Sequence, residues 1–162
     1  MQLWNLFDSH ARLKLLHISL LGTSQDKGTY IAIRADMDCF FGSYNLPEDN
    51  DSSKSGLVVF HIPELGIRFK APFDGIDEYH TDFAALLALL EFIDSNQKFM
   101  KRSAYQIFCD NKTLINQLNN MEPLPDKFMG LYQKARGYQE KYRFSLNWVK
   151  PDKNSALDNL YD

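Results

Sequence analysis

Four aspartates stand where carboxylates could be drawn into one cluster: Asp36, Asp82, Asp110 and Asp158. Carboxylate oxygens are natural ligands for hard cations such as Mg²⁺ or Mn²⁺. Two such ions about 4 Å apart can activate a water and stabilise the leaving oxygen of an in-line displacement at phosphorus. Four carboxylates gathered without cations would repel one another, so the cluster would itself argue for two bound ions. Each acid taken singly has an ordinary explanation. Asp82 near a helix start is favoured by the dipole. Asp110 could cap the helix that follows it, and Asp158 could be a solvated helix residue. Asp36 could pair with Arg34 on a strand face, a contact of little energetic worth. Their order, and the elements they fall on, carry the joint reading.

Those elements follow from periodicity. TYIAIRADMDC (29–39) reads as a strand with Tyr30, Ala32, Arg34, Asp36 and Asp38 on one face, Asp36 lying near its end. LKLLHISLL (13–21) reads as an earlier strand, joined to it through GTSQDKG. The polar stretch NLPEDNDSSKSG (45–56) reads as a loop. SGLVVFHIP and GIRFKAPF flank Glu64-Leu65-Gly66 as a hairpin, with Pro63 and Pro72 marking strand ends. Thr81 is the expected N-cap of a helix that is apolar nearly all round, FAALLALLEFI, with Asp82 in its first turn. SAYQIFCD is the next strand, NKTLINQLNN a short helix, and 127–142 an amphipathic helix. RFSLNWV is the last strand, leading to PDKNSALDNLYD, where Asp158 sits in a closing helix. Three successive strands followed by alternating helices and strands predict an α/β fold: a mixed five-stranded sheet with helices on both faces.

With the residues placed, FCDNKTLINQL resembles the strand-to-helix signature of the ribonuclease H type 1 family, particularly bacterial reverse-transcriptase-like members. RFSLNWVKPDKNSALD is similar to that family's final strand and the loop to Pro-x-x-Asn-x-x-x-Asp. HTDFAALLALLEFI resembles the helix that opens with a catalytic glutamate, and 29–39 is similar to the first strand with its aspartate. The resemblance implies a ribonuclease H-like domain that hydrolyses the RNA strand of RNA–DNA hybrids with two Mg²⁺ or Mn²⁺ ions. Asp36, Asp82, Asp110 and Asp158 would be the catalytic metal ligands. Asn111, Lys150, Lys153 and Asn154 would meet the substrate.

The departures define an alternative. Asp82 is one methylene shorter than glutamate, and an error of about 1 Å can cost on the order of 100-fold in rate. The glycine-rich turn after the first aspartate is replaced by MDCFFGSYNLPEDND, and the last loop has no histidine. A catalytically weakened module that binds nucleic acid or a protein partner fits these changes. ADMDCFFGSY also resembles the first metal motif of Y-family polymerases, with Asp36, Asp38, Asp77 and Glu78 carrying the match.

Composition bounds the rest. The chain has 162 residues, a net charge of −3, and 44% hydrophobic residues, suiting one globular domain without a strongly basic surface. Residues 1–28 read as an extension of unassigned role and 29–162 as the domain. Cys39 and Cys109 fall in strands as small core residues and, without CxxC spacing, fit a reducing, cytoplasmic setting. Neither a membrane span, a nucleotide-cofactor motif nor a His-based zinc spacing is present. Trp4 and Trp148, with Phe40, Phe41 and Tyr44, could stack on bases; Trp148 in an amphipathic strand reads as core, and Phe40-Phe41-Gly42-Ser43-Tyr44 as an aromatic binding surface if exposed.

Overall fold

The computed structural model describes residues 36–45, 56–74, 77–100 and 104–158. The expected extension, the 13–21 strand, residues 29–35 and most of the 45–56 loop lie outside them. One mixed sheet has the order β3-β2-β1-β4-β5. β1 (Asp36–Asn45) pairs antiparallel with β2 (Gly56–Ile62), and β2 antiparallel with β3 (Ile67–Phe73). On its other side β1 runs parallel to β4 (Ala104–Cys109), which runs parallel to β5 (Phe144–Trp148). A parallel pair needs a long crossover. Between β4 and β5 it is supplied by α3 (Lys112–Leu118) and α4 (Met129–Lys141).

The β2–β3 hairpin turns through Pro63–Leu65 and Gly66, whose φ of 64° is left-handed and suits a residue without Cβ. Pro72 lies inside β3 opposite Leu57 rather than ending the strand. β3 is the sheet edge, where a missing N–H is tolerated.

α1 (Glu78–Ser95) is the core's central element, buried at every residue from Thr81 to Ile93. A helix with no polar stripe must be covered on several sides. The sheet covers it through Met37, Cys39, Phe41, Val58, Phe60 and Ile62, and α4 packs beside it. Phe92 meets Phe60 at 5.3 Å between ring centroids. α2 (Gln97–Met100) then leads to β4. On the opposite face of β1 and β2 lies the short turn Ser155–Leu157. Among the described residues no helix is long and apolar enough to cross a membrane.

The start of α1 differs from expectation. Asp77, not Thr81, is the N-cap: its carboxylate accepts from the His80 N–H at 2.8 Å. Thr81 is already helical and its hydroxyl donates back to the Asp77 carbonyl at 3.1 Å. Asp-Glu-Tyr-His therefore forms the first turn, and Asp82 enters in the second. Replacing Asp77 by Ala should lower stability by about 1 kcal/mol in urea unfolding. Lys127→Ala, which removes an exposed ion pair to Asp77 at 3.7 Å and a cation–π contact 4.9 Å from the Phe128 ring centroid, should shift the midpoint less.

Candidate active site

Parallel pairing of β1 with β4 matches Asp36 to Ala104 and Phe40 to Phe108. Carried two residues further, this register brings Gly42 beside Asp110 at the carboxyl end of β4. Asp36 stands six residues back, roughly 20 Å away at about 3.3 Å per residue. Its carboxylate accepts instead from Gln106 Nε2 at 3.2 Å. Asp36 is thus not brought to the other acids. The reason is local: β1 continues to Asn45, so Asp36 opens this strand instead of ending it. The residues that pass the carboxylates are Phe41, Gly42 and Ser43.

Gly42 is needed for that approach. A Cβ there would lie 3.1 Å from Asn154 Nδ2 and 3.5 Å from Asp110 Oδ1. Phe41 is fully buried on the α1 side, so the expected aromatic surface is partly core. Ser43 shares that side of the strand, and its hydroxyl donates to Asp82 Oδ1 at 2.6 Å.

Asp82 is 5% exposed. Its second oxygen accepts from Asn111 Nδ2 at 2.7 Å. Asn111 Oδ1 in turn accepts from the Leu114 N–H at 3.1 Å and caps α3. Burial pushes the Asp82 carboxyl up to about 6; the bonds from Ser43 and Asn111 pull down, and the Asp110 charge adds to the rise.

Asp110 Oδ1 accepts from Asn154 Nδ2 at 2.7 Å. The same amide donates to the Phe41 carbonyl at 2.9 Å, and Asn154 Oδ1 accepts from the Ala156 N–H at 3.2 Å. Asn154, 1% exposed, therefore fastens the final turn to β1 and to the end of β4. The Asp110 carbonyl accepts from Trp148 Nε1 at 3.1 Å. Asp82, Asp110, Asn111 and Asn154 are thus brought together.

Asp158 ends the Ser155–Leu157 turn in extended backbone, not within a helix. Its carbonyl accepts from Arg68 at 3.4 Å and its charge acts on His61. His61 Nδ1 lies 2.8 Å from Ser155 Oγ, and Arg68 also donates to the Ser155 carbonyl at 2.9 Å. Lys150 and Lys153 are exposed around the Pro151–Lys153 turn. Trp148, expected in the core, is 43% exposed, with Lys112 Nζ 5.6 Å from its ring centroid. Ser43 as the partner of Asp82, and His61 with Ser155, are the polar contacts that sequence reasoning missed, while Trp148 was read as core against its stacking alternative. The alternation Met37-Cys39-Phe41, continued to Ser43, was the available signal for the first.

The side chains present do not fit the expected two-ion centre. Both oxygens of Asp82 and one of Asp110 already accept hydrogen bonds, and the adjoining β1 segment carries no carboxylate. Among the described residues, no group of three or more His, Cys, Asp or Glu side chains is placed to hold a metal ion.

The geometry has clear relatives. It is similar to the N-terminal ribonuclease H domain of a Mycobacterium tuberculosis protein, determined as a maltose-binding-protein fusion, at 13% identity over 74% of this chain and 85% of that one, with TM-score 0.58. Ribonuclease H1 of Halobacterium salinarum matches at 14% identity over 75% and 90%, with TM-score 0.58. LC11 ribonuclease H1 from a compost metagenome, in complex with an RNA/DNA hybrid, matches at 10% identity over 72% and 88%, with TM-score 0.56. The chain has the ribonuclease H-like fold. No protein-family model and no curated protein matches it at a significant level. Within the ribonuclease H fold, Asp77 and Glu78 form the start of α1 and Asp36 and Asp38 the start of β1. From Asp36 to Tyr44 the polymerase-like run is accounted for as this fold's first described strand.

Two outcomes test the site. Asn154→Ala leaves the Phe41 carbonyl and Asp110 without their buried donor and should cost about 3 kcal/mol in urea unfolding, at roughly 1–3 kcal/mol per unsatisfied group. Asp82 holds its proton more tightly folded than unfolded. It therefore contributes stability present below its ordinary value near 3.8 and lost as pH rises through about 6. His61 and His80, which burial pushes below 6.5, act in the opposite sense, losing stability as pH falls. Thermal melts of the wild type against Asp82→Asn isolate the carboxyl: the wild type should lose ground relative to the variant between about pH 4 and pH 7. A flat difference would show Asp82 ionised throughout.

Proposed function

We propose that this chain is a ribonuclease H-fold module that binds RNA–DNA hybrid, with metal-dependent hydrolysis weakened or lost. One observation carries the reading. Phe41-Gly42-Ser43 lines the place beside Asp110, while Ser43, Asn111 and Asn154 occupy the oxygens of Asp82 and Asp110. A carboxylate so bonded is less available to a cation, which would have to compete with part-buried donors. Binding is supported by position. The cluster lies at the carboxyl ends of parallel strands, where open α/β sheets bind ligands. Lys112, Lys150, Lys153 and Trp148 stand on elements that leave those strand ends, and the LC11 enzyme of this fold was captured with an RNA/DNA hybrid.

A second reading is hydrolysis of the RNA strand. Its support is the closeness of Asp82 and Asp110, near enough for the charge of one to raise the other. Under it those two acids, with Asp158, remain the candidate Mg²⁺ or Mn²⁺ ligands.

The test is a labelled RNA–DNA hybrid incubated with Mg²⁺ and then Mn²⁺, beside an identically prepared Asp110→Asn variant, with binding followed by anisotropy. We expect salt-sensitive binding, cleavage no faster than the variant's, and a melting temperature unmoved by millimolar Mg²⁺. Cleavage abolished in Asp110→Asn, with stabilisation by metal, establishes the second reading. Absence of any hybrid binding overturns both in favour of a protein-binding domain.

A further inference from the structure

We propose that Trp148 and Lys112 form a stacking platform for an unstacked nucleobase, so that this fold engages single-stranded nucleic acid or a frayed strand end. The inference rests on the nucleic-acid reading above and names the part of the ligand that this edge contacts.

Trp148 closes the edge strand β5 and is 43% exposed, a large apolar area left open to solvent. Its ring is not loose: Nε1 donates to the Asp110 carbonyl at 3.1 Å, fixing one edge of the indole against the end of β4. Lys112, exposed in the first turn of α3, places its ammonium 5.6 Å from the ring centroid. A fixed indole with an adjoining cation offers two complementary contacts, a π-face for any base and a positive charge for the neighbouring phosphate. Lys150 follows two residues later in extended backbone, and Lys153 ends the next turn. The bases of a duplex interior are already stacked on each other and cannot reach such a ring; those of a single strand can. Asp110 and Asp152 lie among these lysines, so the electrostatic share should be modest and the salt dependence shallow.

Trp4 and Trp148 are the chain's two tryptophans, so a Trp4→Phe background makes Trp148 the fluorescent reporter. Three probes are titrated: oligothymidylate, a blunt RNA–DNA hybrid of the same length, and heparin as a base-free polyanion. Melting curves first establish that Trp148→Ala, Trp148→Phe and Lys112→Ala are folded. The expected result is quenching of Trp148 by oligothymidylate and, from the anisotropy of a dye-labelled oligothymidylate, affinity reduced about tenfold or more in Trp148→Ala and little changed in Trp148→Phe. Lys112→Ala should weaken binding and flatten its salt dependence. Oligothymidylate binding with affinity indifferent to Trp148 overturns the platform, and hybrid binding that persists alongside leaves the hybrid-binding reading standing. Heparin quenching equal to that of oligothymidylate also overturns the platform. Absence of binding to both nucleic acids overturns the two proposals together.

Discussion

The parallel register of β1 against β4 is the constraint on which this site depends. It is a matter of backbone hydrogen bonds, and it decides which β1 side chains stand beside the carboxyl end of β4. Strand geometry allows no compromise: a residue two positions away is displaced by about 7 Å, and one position away faces the other side of the sheet. The register places Gly42 at the approach to Asp110 and removes Asp36 to the far end. Everything that follows, including the seat of Asn154 and the partner of Asp82, is built around a strand that offers a small backbone surface there and no charge.

A buried carboxyl without donors would be among the least favourable groups in the domain. Asp82 is tolerated because Ser43 reaches it from β1 and Asn111 from the α3 cap, so three elements converge on one side chain. Asn154 performs the corresponding task for the other half, joining β1, β4 and the Ser155–Leu157 turn through one amide. Buried polar networks of this kind rigidify when every member is satisfied and destabilise when one is removed. The closure therefore acts twice. It orders the last described segment of the chain, and it places donors on three carboxylate oxygens with which a cation would have to compete.

Much of this was legible in the residues. The succession of strands and helices along the chain, the hairpin at Gly66, the buried helix and the burial of both cysteines follow from periodicity and turn chemistry, which are local. Asp110, Asn111 and Asn154 were placed by a motif whose spacing is fixed by one strand end and one loop. Asp36 was misplaced because period-two alternation gives the face of a strand but not its position along the neighbour. ADMDC and FFGSYN alternate equally well, and only the pairing with Ala104 to Phe108 decides between them. Thr81 looked like a cap for a related reason. Asp77 lies in a polar run without apolar periodicity, and the first helical turn needs no core contact to form. Trp148 was read as core because its strand is amphipathic, yet the strand ends there and its last residue escapes cover.

The same strand separates the chemistry of binding from that of hydrolysis. A carboxylate from β1 could join Asp82 and Asp110 only from positions 41 to 43, and position 42 is closed by Asn154. At position 41 the side chain points into the core under α1, where Phe41 has no exposed surface. An acid there would be desolvated among apolar groups and would need a cation to hold its charge. With phenylalanine the requirement disappears, and the helix and sheet gain one more well-packed ring, worth about 1.5–3 kcal/mol for a fully buried side chain. The outer edge of the site is untouched by that exchange. Trp148, Lys112 and Lys150 are set by the ends of β5 and α3, so the surface proposed for nucleic acid does not depend on what fills position 41.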